Sequence, residues 1–189
     1  MIRLVLASAS PRRIELTRRI GLDCVIDPAG IDEGAVAPSP DAAAVLSRRK
    51  AEAVAPRHPP GTVIIAADTL VVCGGRVLGK PKGEEEAFSM LRALAGRTHT
   101  VLTGVTVAGD GRTLTRTEAA DVTMRPLTGR QIRAYIATGE PMDKAGAYGI
   151  QERGALLVER VDGDFYNVMG LPLCLLAKML QDFGVDLLC

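Results

Sequence analysis

Apolar residues along this chain fall into short blocks separated by proline, glycine and charge, and the period within each block predicts its element. Leu4 to Ala7 has the length of a buried strand. It stops at Ser8-Ala9-Ser10-Pro11-Arg12-Arg13, where Ser10 suits an N-cap and Pro11 the first helical position. A helix through Ile14, Glu15 and Leu16 to Ile20 follows, with Gly21 as its stop. Cys24 to Ile26 predicts a second short strand, and Asp27 to Gly34 a loop carrying the carboxylates Asp27, Asp32 and Glu33. Ser39-Pro40 repeats the cap-plus-proline start, which predicts a helix from Pro40 to about Ala55. Pro56, Pro59, Pro60 and Gly61 then break the chain in a connecting loop.

Thr62 to Val72 is the most apolar stretch and reads as a central strand holding a single charge, Asp68. Gly74-Gly75 suits a hairpin turn, so Arg76 to Leu78 should return antiparallel. The basic loop Gly79-Lys80-Pro81-Lys82 leads to a helix over about 84–95, with Ala87, Leu91 and Leu94 on one face and Gly96 at its end. Thr98 to Ala108 and Thr113 to Thr123 read as a long hairpin around Gly109-Asp110-Gly111. Thr128 to Gln131 predicts a capping box on a helix ending near Gly139. The segment 140–151 is rich in glycine and polar groups and reads as a functional loop. Leu156 to Val161 is a last strand, and Pro172 opens a C-terminal helix burying Leu173, Leu176, Leu180 and Phe183. The sum is a mixed α/β protein whose long hairpin argues against a purely parallel sheet.

Composition narrows the function. The chain has 189 residues, one domain's worth, and it can bury a core without staples. Aromatics make up 3% with no Trp, so aliphatic side chains must fill that core. Lys and Arg number 23 against 22 Asp and Glu, a net charge of +1, which argues against a general nucleic-acid or membrane-surface binder. Any anion preference must be local. Cys24, Cys73, Cys174 and Cys189 show neither metal nor redox spacing and are expected to be small buried hydrophobes. A strand beginning within four residues of Met1 leaves no room for a signal peptide, and no apolar run approaches a membrane span, so a cytoplasmic protein is expected.

Candidate chemistry gathers at a few positions. Arg12 and Arg13 fall in the first turn of a helix, beside exposed amides and two serine hydroxyls, where positive charge is mildly unfavourable unless an anion is bound. The alternative is that both point into water. Asp68 inside an apolar strand is costly unless it is paired, metal-bound or at a site. Thr69 alternates to the opposite face of a regular strand, so a bulge or bend would be needed for both to reach one ligand. Glu33 reads on its own as part of a solvated acidic loop. Lys50, late in an alanine-rich helix, reads as an ordinary surface lysine, while Pro81 between Lys80 and Lys82 suggests positioned charge. Together these offer carboxylates for a divalent metal and cations for phosphates. The chain carries no G-x-x-x-x-G-K-[ST], no G-x-G-x-x-G after the first strand and no G-x-S-x-G. His58 is expected to face solvent and His99 to be structural.

The ordered blocks Leu6 to Arg13 with Glu15, Ile31-Asp32-Glu33, Lys50-Ala51, Ala67-Asp68-Thr69, Gly79-Lys80-Pro81, Thr103-Gly104-Val105 and 144–151 resemble the Maf family of nucleoside triphosphate pyrophosphatases, from Leu4 to Leu171. The resemblance implies a Maf/ITPase-like α/β fold: an elongated mixed β-sheet flanked by helices, in which two lobes of one domain share the sheet around a central cleft. It implies hydrolysis between the α- and β-phosphates, giving a nucleoside monophosphate and pyrophosphate, with a divalent metal cation, Mg²⁺ or Mn²⁺. Asp68 matches the family's proton acceptor. Ser8, Arg13, Lys50 and Lys80 match phosphate-binding positions, and Glu33 with Asp68 a metal pair. Arg12, Thr69 and Gln151 match positions that separate subfamilies, and all are those of the dTTP/UTP branch. Asp143 and Lys144 resemble further parts of the site.

The expected partner is therefore a nucleoside triphosphate, with neither nucleic acid nor membrane, and the family suggests a homodimer. Two alternatives stand beside this reading: a nucleotide-binding regulator of cell division and septum formation without turnover, and a Maf-type pyrophosphatase acting on 7-methyl-GTP. Uracil and thymine share the edge O4, N3–H, O2. A Gln151 carboxamide can accept from N3–H and donate to O4, whereas cytosine reverses both partners. Which of Arg12, Thr69 and Gln151 touches the base stays open from sequence, since Arg12 could hold phosphate instead.

Overall fold

A computed structural model describes residues 2–33 and 39–188, so Gly34 of the acidic loop and Cys189 lie outside the described residues. The elements run β1 (Arg3–Leu6), α1 (Pro11–Arg19), β2 (Val25–Ile26), α2 (Ala42–Val54), β3 (Thr62–Cys73), β4 (Arg76–Leu78), α3 (Glu84–Leu94), β5 (Thr98–Gly109), β6 (Arg112–Met124), α4 (Gly129–Ile136), β7 (Val158–Gly163), α5 (Phe165–Met169) and α6 (Leu173–Gln181). The strands form one seven-stranded mixed sheet in the order β2-β1-β3-β5-β6-β7, with β4 also on β3. The chain divides into two compact units. The first comprises Met1–Asp68, Thr103–Glu118 and Gly170–Cys189, and the second Thr69–Leu102 and Ala119–Met169.

In the first unit β1 lies parallel to both β2 and β3, with Leu6 opposite Ile26 and Ile65. Both faces of such strands are covered, which is why Leu4 to Ala7 and Val63 to Ala67 read as continuous apolar runs. Val5, Ala7, Ala51, Val54, Ile64, Ala66 and Ala108 build the core there. Helix α2 packs close against β5. A Cβ on Gly104 would stand 2.4 Å from the Ala43 carbonyl, so only glycine fits that contact. A hydroxyl chain, Ser47 to Thr106 to Thr115 with 2.9 Å at each step, ties the same helix to the β5–β6 hairpin.

The second unit packs Val71, Leu91, Leu94, Val101, Val122, Met124, Ile132 and Tyr148 into its own core. The α4 capping box forms as the spacing predicts: Thr128 Oγ1 accepts from Gln131 N at 3.3 Å, and Gln131 Oε1 accepts from Thr128 N at 2.8 Å. Between α4 and β7 the chain makes short 3-10 turns at Glu140–Asp143, Ala145–Ala147 and Glu152–Leu157.

Several local expectations need correction. Ser10 sits at the N-cap of α1 without a side-chain cap bond; its amide instead donates to Ser8 Oγ at 3.2 Å. Helix α2 starts at Ala42 rather than Pro40, because Ala42 N donates to Ser39 O at 3.0 Å and closes a tight turn first. The last strand begins at Val158; Leu156 lies in a 3-10 turn and is 69% exposed. Helix α6 buries Leu176, Met179 and Leu180, while Leu173 and Phe183 stay half-buried. Cys24 and Cys73 are half-buried and Cys174 is exposed, so the described cysteines are not core residues. His58 does not face solvent, since its Nε2 lies 2.9 Å from Asp27 Oδ2. His99 is buried and structural, as expected.

Candidate active site

The parallel pairing of β1 with β3 positions the first part of the site. Ala7 N donates to Ile65 O at 2.8 Å, so the chain leaves β1 toward Ser8 at the same end of the pair where β3 runs on to Asp68. Ligands of open α/β sheets gather outside the carboxyl ends of parallel strands, where successive strand-to-helix connections meet. Ser8 and Asp68 are both buried there, 7% and 6% exposed.

Lys50 enters from α2. Its neighbours on the helix, Ala43, Leu46, Ser47, Ala51 and Val54, are all buried, so the lysine projects from the apolar stripe rather than from the wet face. Its ammonium is held by two carboxylates: Nζ stands 2.6 Å from Asp68 Oδ1 and 2.6 Å from Glu33 Oε1. A buried ammonium without partners would be very costly, and here the pair supplies them. The reading of Lys50 as a surface residue is thus wrong, and the period of the helix carried the signal. Ala43, Ser47, Lys50 and Val54 share one face at helical spacing.

Arg13 is tied down as well. Its Nε donates to Gly170 O at 2.8 Å and its Nη1 to Ser8 Oγ at 3.4 Å, within the first unit. The guanidinium therefore does not point into water. Burial lowers its pKa, Asp68 opposes that shift, neighbouring Arg12 adds to it and Glu33 opposes it. Arg12 is half-buried one residue earlier in α1. The Asp68 carboxyl is pushed above the ordinary aspartate value, first by burial. The Lys50 ammonium and, less strongly, Arg13 pull it back, and Glu33 pushes it up slightly. A carboxylate raised in this way holds a proton more readily than a solvated one, which is what a proton acceptor needs.

In the second unit Thr69 follows Asp68 along β3 and is half-buried. Lys80 is exposed beside buried Pro81, in a loop anchored where Gly146 N donates to Gly79 O at 3.0 Å. Gly146 has a φ of +70° and faces the Val71 side chain, so a side chain there would be both strained and crowded. Lys144 Nζ donates to Asp143 Oδ1 at 2.7 Å and to Glu140 O at 2.6 Å, on the edge of a polar pocket that Glu152 and Arg153 also line. Gln151 is half-buried between Ile150 and Glu152. Ser8, Arg13, Glu33, Lys50 and Asp68 therefore form one cluster, whereas Lys80 and Gln151 occupy separate loops of the second unit. Tyr135, which with Glu140 brackets the Gln151 loop with hydrogen bonds, escapes a reading of the sequence because it sits among the apolar residues of α4; Glu140 opens the segment read as a functional loop, but its role there does not show in the residue alone.

The whole chain has the fold of a known structural class. It matches the structure of the Staphylococcus aureus Ham1 protein with a TM-score of 0.54, covering 95% of this chain and 98% of that one at 17% identity, a likeness of fold alone. The chain belongs to the family described as Maf-like protein, whose model matches residues 3–183. Among its relatives, the protein named dTTP/UTP pyrophosphatase in Moorella thermoacetica is 54% identical, over 98% of this chain and 97% of its own length. Proteins of the same name in Symbiobacterium thermophilum and Thermococcus onnurineus are 49% and 47% identical, over 97% and 96% of this chain and 95% and 99% of their own lengths. Among the described residues no helix is long and apolar enough to cross a membrane.

Proposed function

We propose that this protein hydrolyses dTTP and UTP to the nucleoside monophosphate and pyrophosphate, as its full-length relatives are named for doing. The observation that carries the chemical reading is the buried Asp68 carboxylate, raised in pKa and held by the Lys50 ammonium at 2.6 Å. Asp68 takes the proton of a water that attacks the α-phosphorus. The new bond is from water oxygen to phosphorus, and the bond that breaks joins the α-phosphorus to the bridging oxygen, which leaves with pyrophosphate. Charge grows on that leaving group, and Arg13 and Lys50 neutralise it from fixed positions, the main protein contribution to phosphoryl chemistry. Ser8 orients Arg13 and presents its own hydroxyl beside it. Lys80 matches a further phosphate-binding position of the family.

A divalent cation fits the donor set. Among the described residues no group of three or more His, Cys, Asp or Glu is placed to hold a metal ion, so any ion must take further ligands from the substrate. Glu33 and Asp68, converging on one ammonium, match the one or two carboxylates with which Mg²⁺ or Mn²⁺ is held jointly with substrate phosphates. When bound, such an ion would polarise the phosphoryl oxygens and offset their charge.

Base choice falls to Arg12, Thr69 and Gln151, with Gln151 reading the N3–H and O4 edge shared by uracil and thymine. A free nucleotide as substrate, rather than nucleic acid or a membrane, suits a cytoplasmic enzyme. A homodimer is the expected state, checked by light scattering. Asp68→Asn keeps the shape and removes the base, so UTP turnover should fall at least ~100-fold. Near-wild-type turnover by that variant would take Asp68 out of the reaction.

A further inference from the structure

The loop that carries Gln151 is closed at both ends by one pair of side chains. On its N-terminal side Gly149 N donates to the Tyr135 hydroxyl at 3.1 Å. On its C-terminal side Gly154 N donates to Glu140 Oε1 at 3.1 Å and Arg153 N to Glu140 Oε2 at 3.2 Å. The Tyr135 hydroxyl itself donates to Glu140 Oε1 at 3.0 Å, so the two anchors are one unit. Each carboxylate oxygen of Glu140 is used, and the hydroxyl both donates and accepts, as a phenol can.

Two further observations show how tightly this clasp fixes the loop. A Cβ on Gly154 would stand 1.8 Å from Gly149 O, so the two ends of the loop touch backbone to backbone. Glu152, next to Gln151, has a φ of +52°, a left-handed conformation that a non-glycine residue keeps only where its surroundings hold it. Tyr135 is 5% exposed and Ile150 8%, so the clasp and the start of the loop are anchored in the core, while Gln151 remains half-buried at the tip.

We infer that Tyr135 and Glu140 are positioning residues for nucleobase selection: by clasping both ends of the 149–154 loop they set where the Gln151 carboxamide stands. This rests on the reading of Gln151 as the residue that meets the uracil or thymine edge. Pairing to one edge discriminates only when donor and acceptor are held in place, because a carboxamide free to swing or flip can satisfy cytosine too. Neither Tyr135 nor Glu140 need touch the nucleotide.

The test is the ratio of kcat/KM for UTP to kcat/KM for CTP in wild type, Gln151→Ala, Tyr135→Phe and Glu140→Gln. The ratio does not depend on the concentration of folded enzyme, so a variant that merely folds less well leaves it unchanged. Tyr135→Phe keeps the ring in the core and removes only the clasp hydroxyl. Glu140→Gln turns one oxygen into a donor facing the loop amides. Both should lower the ratio by about 10-fold, through loss of UTP efficiency and gain of CTP efficiency, and Glu140→Asp should recover part of it. Gln151→Ala eroding the ratio while Tyr135→Phe keeps the wild-type value would overturn the positioning role and leave the Gln151 reading intact. A ratio unmoved by Gln151→Ala would overturn the Gln151 reading, and with it this inference.

Discussion

The Lys50 ammonium and the Asp68 carboxylate stand 2.6 Å apart, both almost fully buried, at the point where β3 leaves the first unit. Burial raises the Asp68 pKa, and the Lys50 ammonium opposes that rise by favouring the ionised carboxylate. The acid limb of the wild-type pH–rate profile should therefore lie above the ordinary aspartate value of 3.8. Lys50→Met should move that limb to still higher pH and cut turnover at neutral pH at least ~100-fold. An unmoved limb in Lys50→Met would show that the ammonium does not set the base. The broken buried pair should also cost about 3 kcal/mol of stability, read by urea melts.

His99 gives the second unit a pH dependence of its own. It is 2% exposed and its Nε2 lies 2.7 Å from the Tyr148 hydroxyl. Burial pushes its pKa down from 6.5 to about 4, with Asp121 opposing slightly. The unfolded chain therefore binds this proton more readily than the folded one. The contribution is complete above pH 6.5 and is lost as pH falls toward about 4. Urea midpoints should fall over that window by roughly 3 kcal/mol of stability, and His99→Gln should flatten the slope. Equal slopes in the two proteins would show that His99 is not the titrating group.

Gly104 is a steric requirement. An added Cβ meets the Ala43 carbonyl carbon and oxygen at 2.4 Å and the Ala44 amide nitrogen at 2.6 Å, all backbone atoms that no rotamer change can move. Gly104→Ala should cost about 2 kcal/mol, a drop of roughly 5 °C in Tm by calorimetry. Helix α2 must shift to admit the methyl group, and Lys50 rides on it two turns further on. A wild-type Tm would mean that α2 does not pack so closely on β5.

Much of the fold is legible in the residues themselves. The apolar runs at Leu4 to Ala7 and Thr62 to Val72 are buried parallel neighbours, and strands covered on both faces must read that way. Asp68 stands out because a lone charge in such a run needs a partner. That partner is harder to find: Lys50 lies 18 residues away, and only the helical period of α2 turns it inward. The Ser10 hydroxyl makes no cap bond, while the Ser8 hydroxyl two residues earlier accepts from the Ser10 amide and the Arg13 guanidinium. The segment 140–151 reads as functional, but the pairing of Tyr135 with Glu140 that clasps it does not show in the sequence. The clasp's bonds go to backbone amides of Gly149, Arg153 and Gly154, and a bond to a backbone amide does not by itself name its side-chain partner in the sequence.

The most direct test of the account is pyrophosphate release by the wild-type protein with Mg²⁺ or Mn²⁺ and a panel of dTTP, UTP, CTP, GTP and 7-methyl-GTP. In ¹⁸O-labelled water, the label should appear in the monophosphate, because the α-phosphorus is attacked. The account predicts stoichiometric pyrophosphate and monophosphate from dTTP and UTP, at rates well above the other three. No pyrophosphate from any triphosphate, with nucleotide binding retained, would contradict it and favour a nucleotide-binding regulator instead.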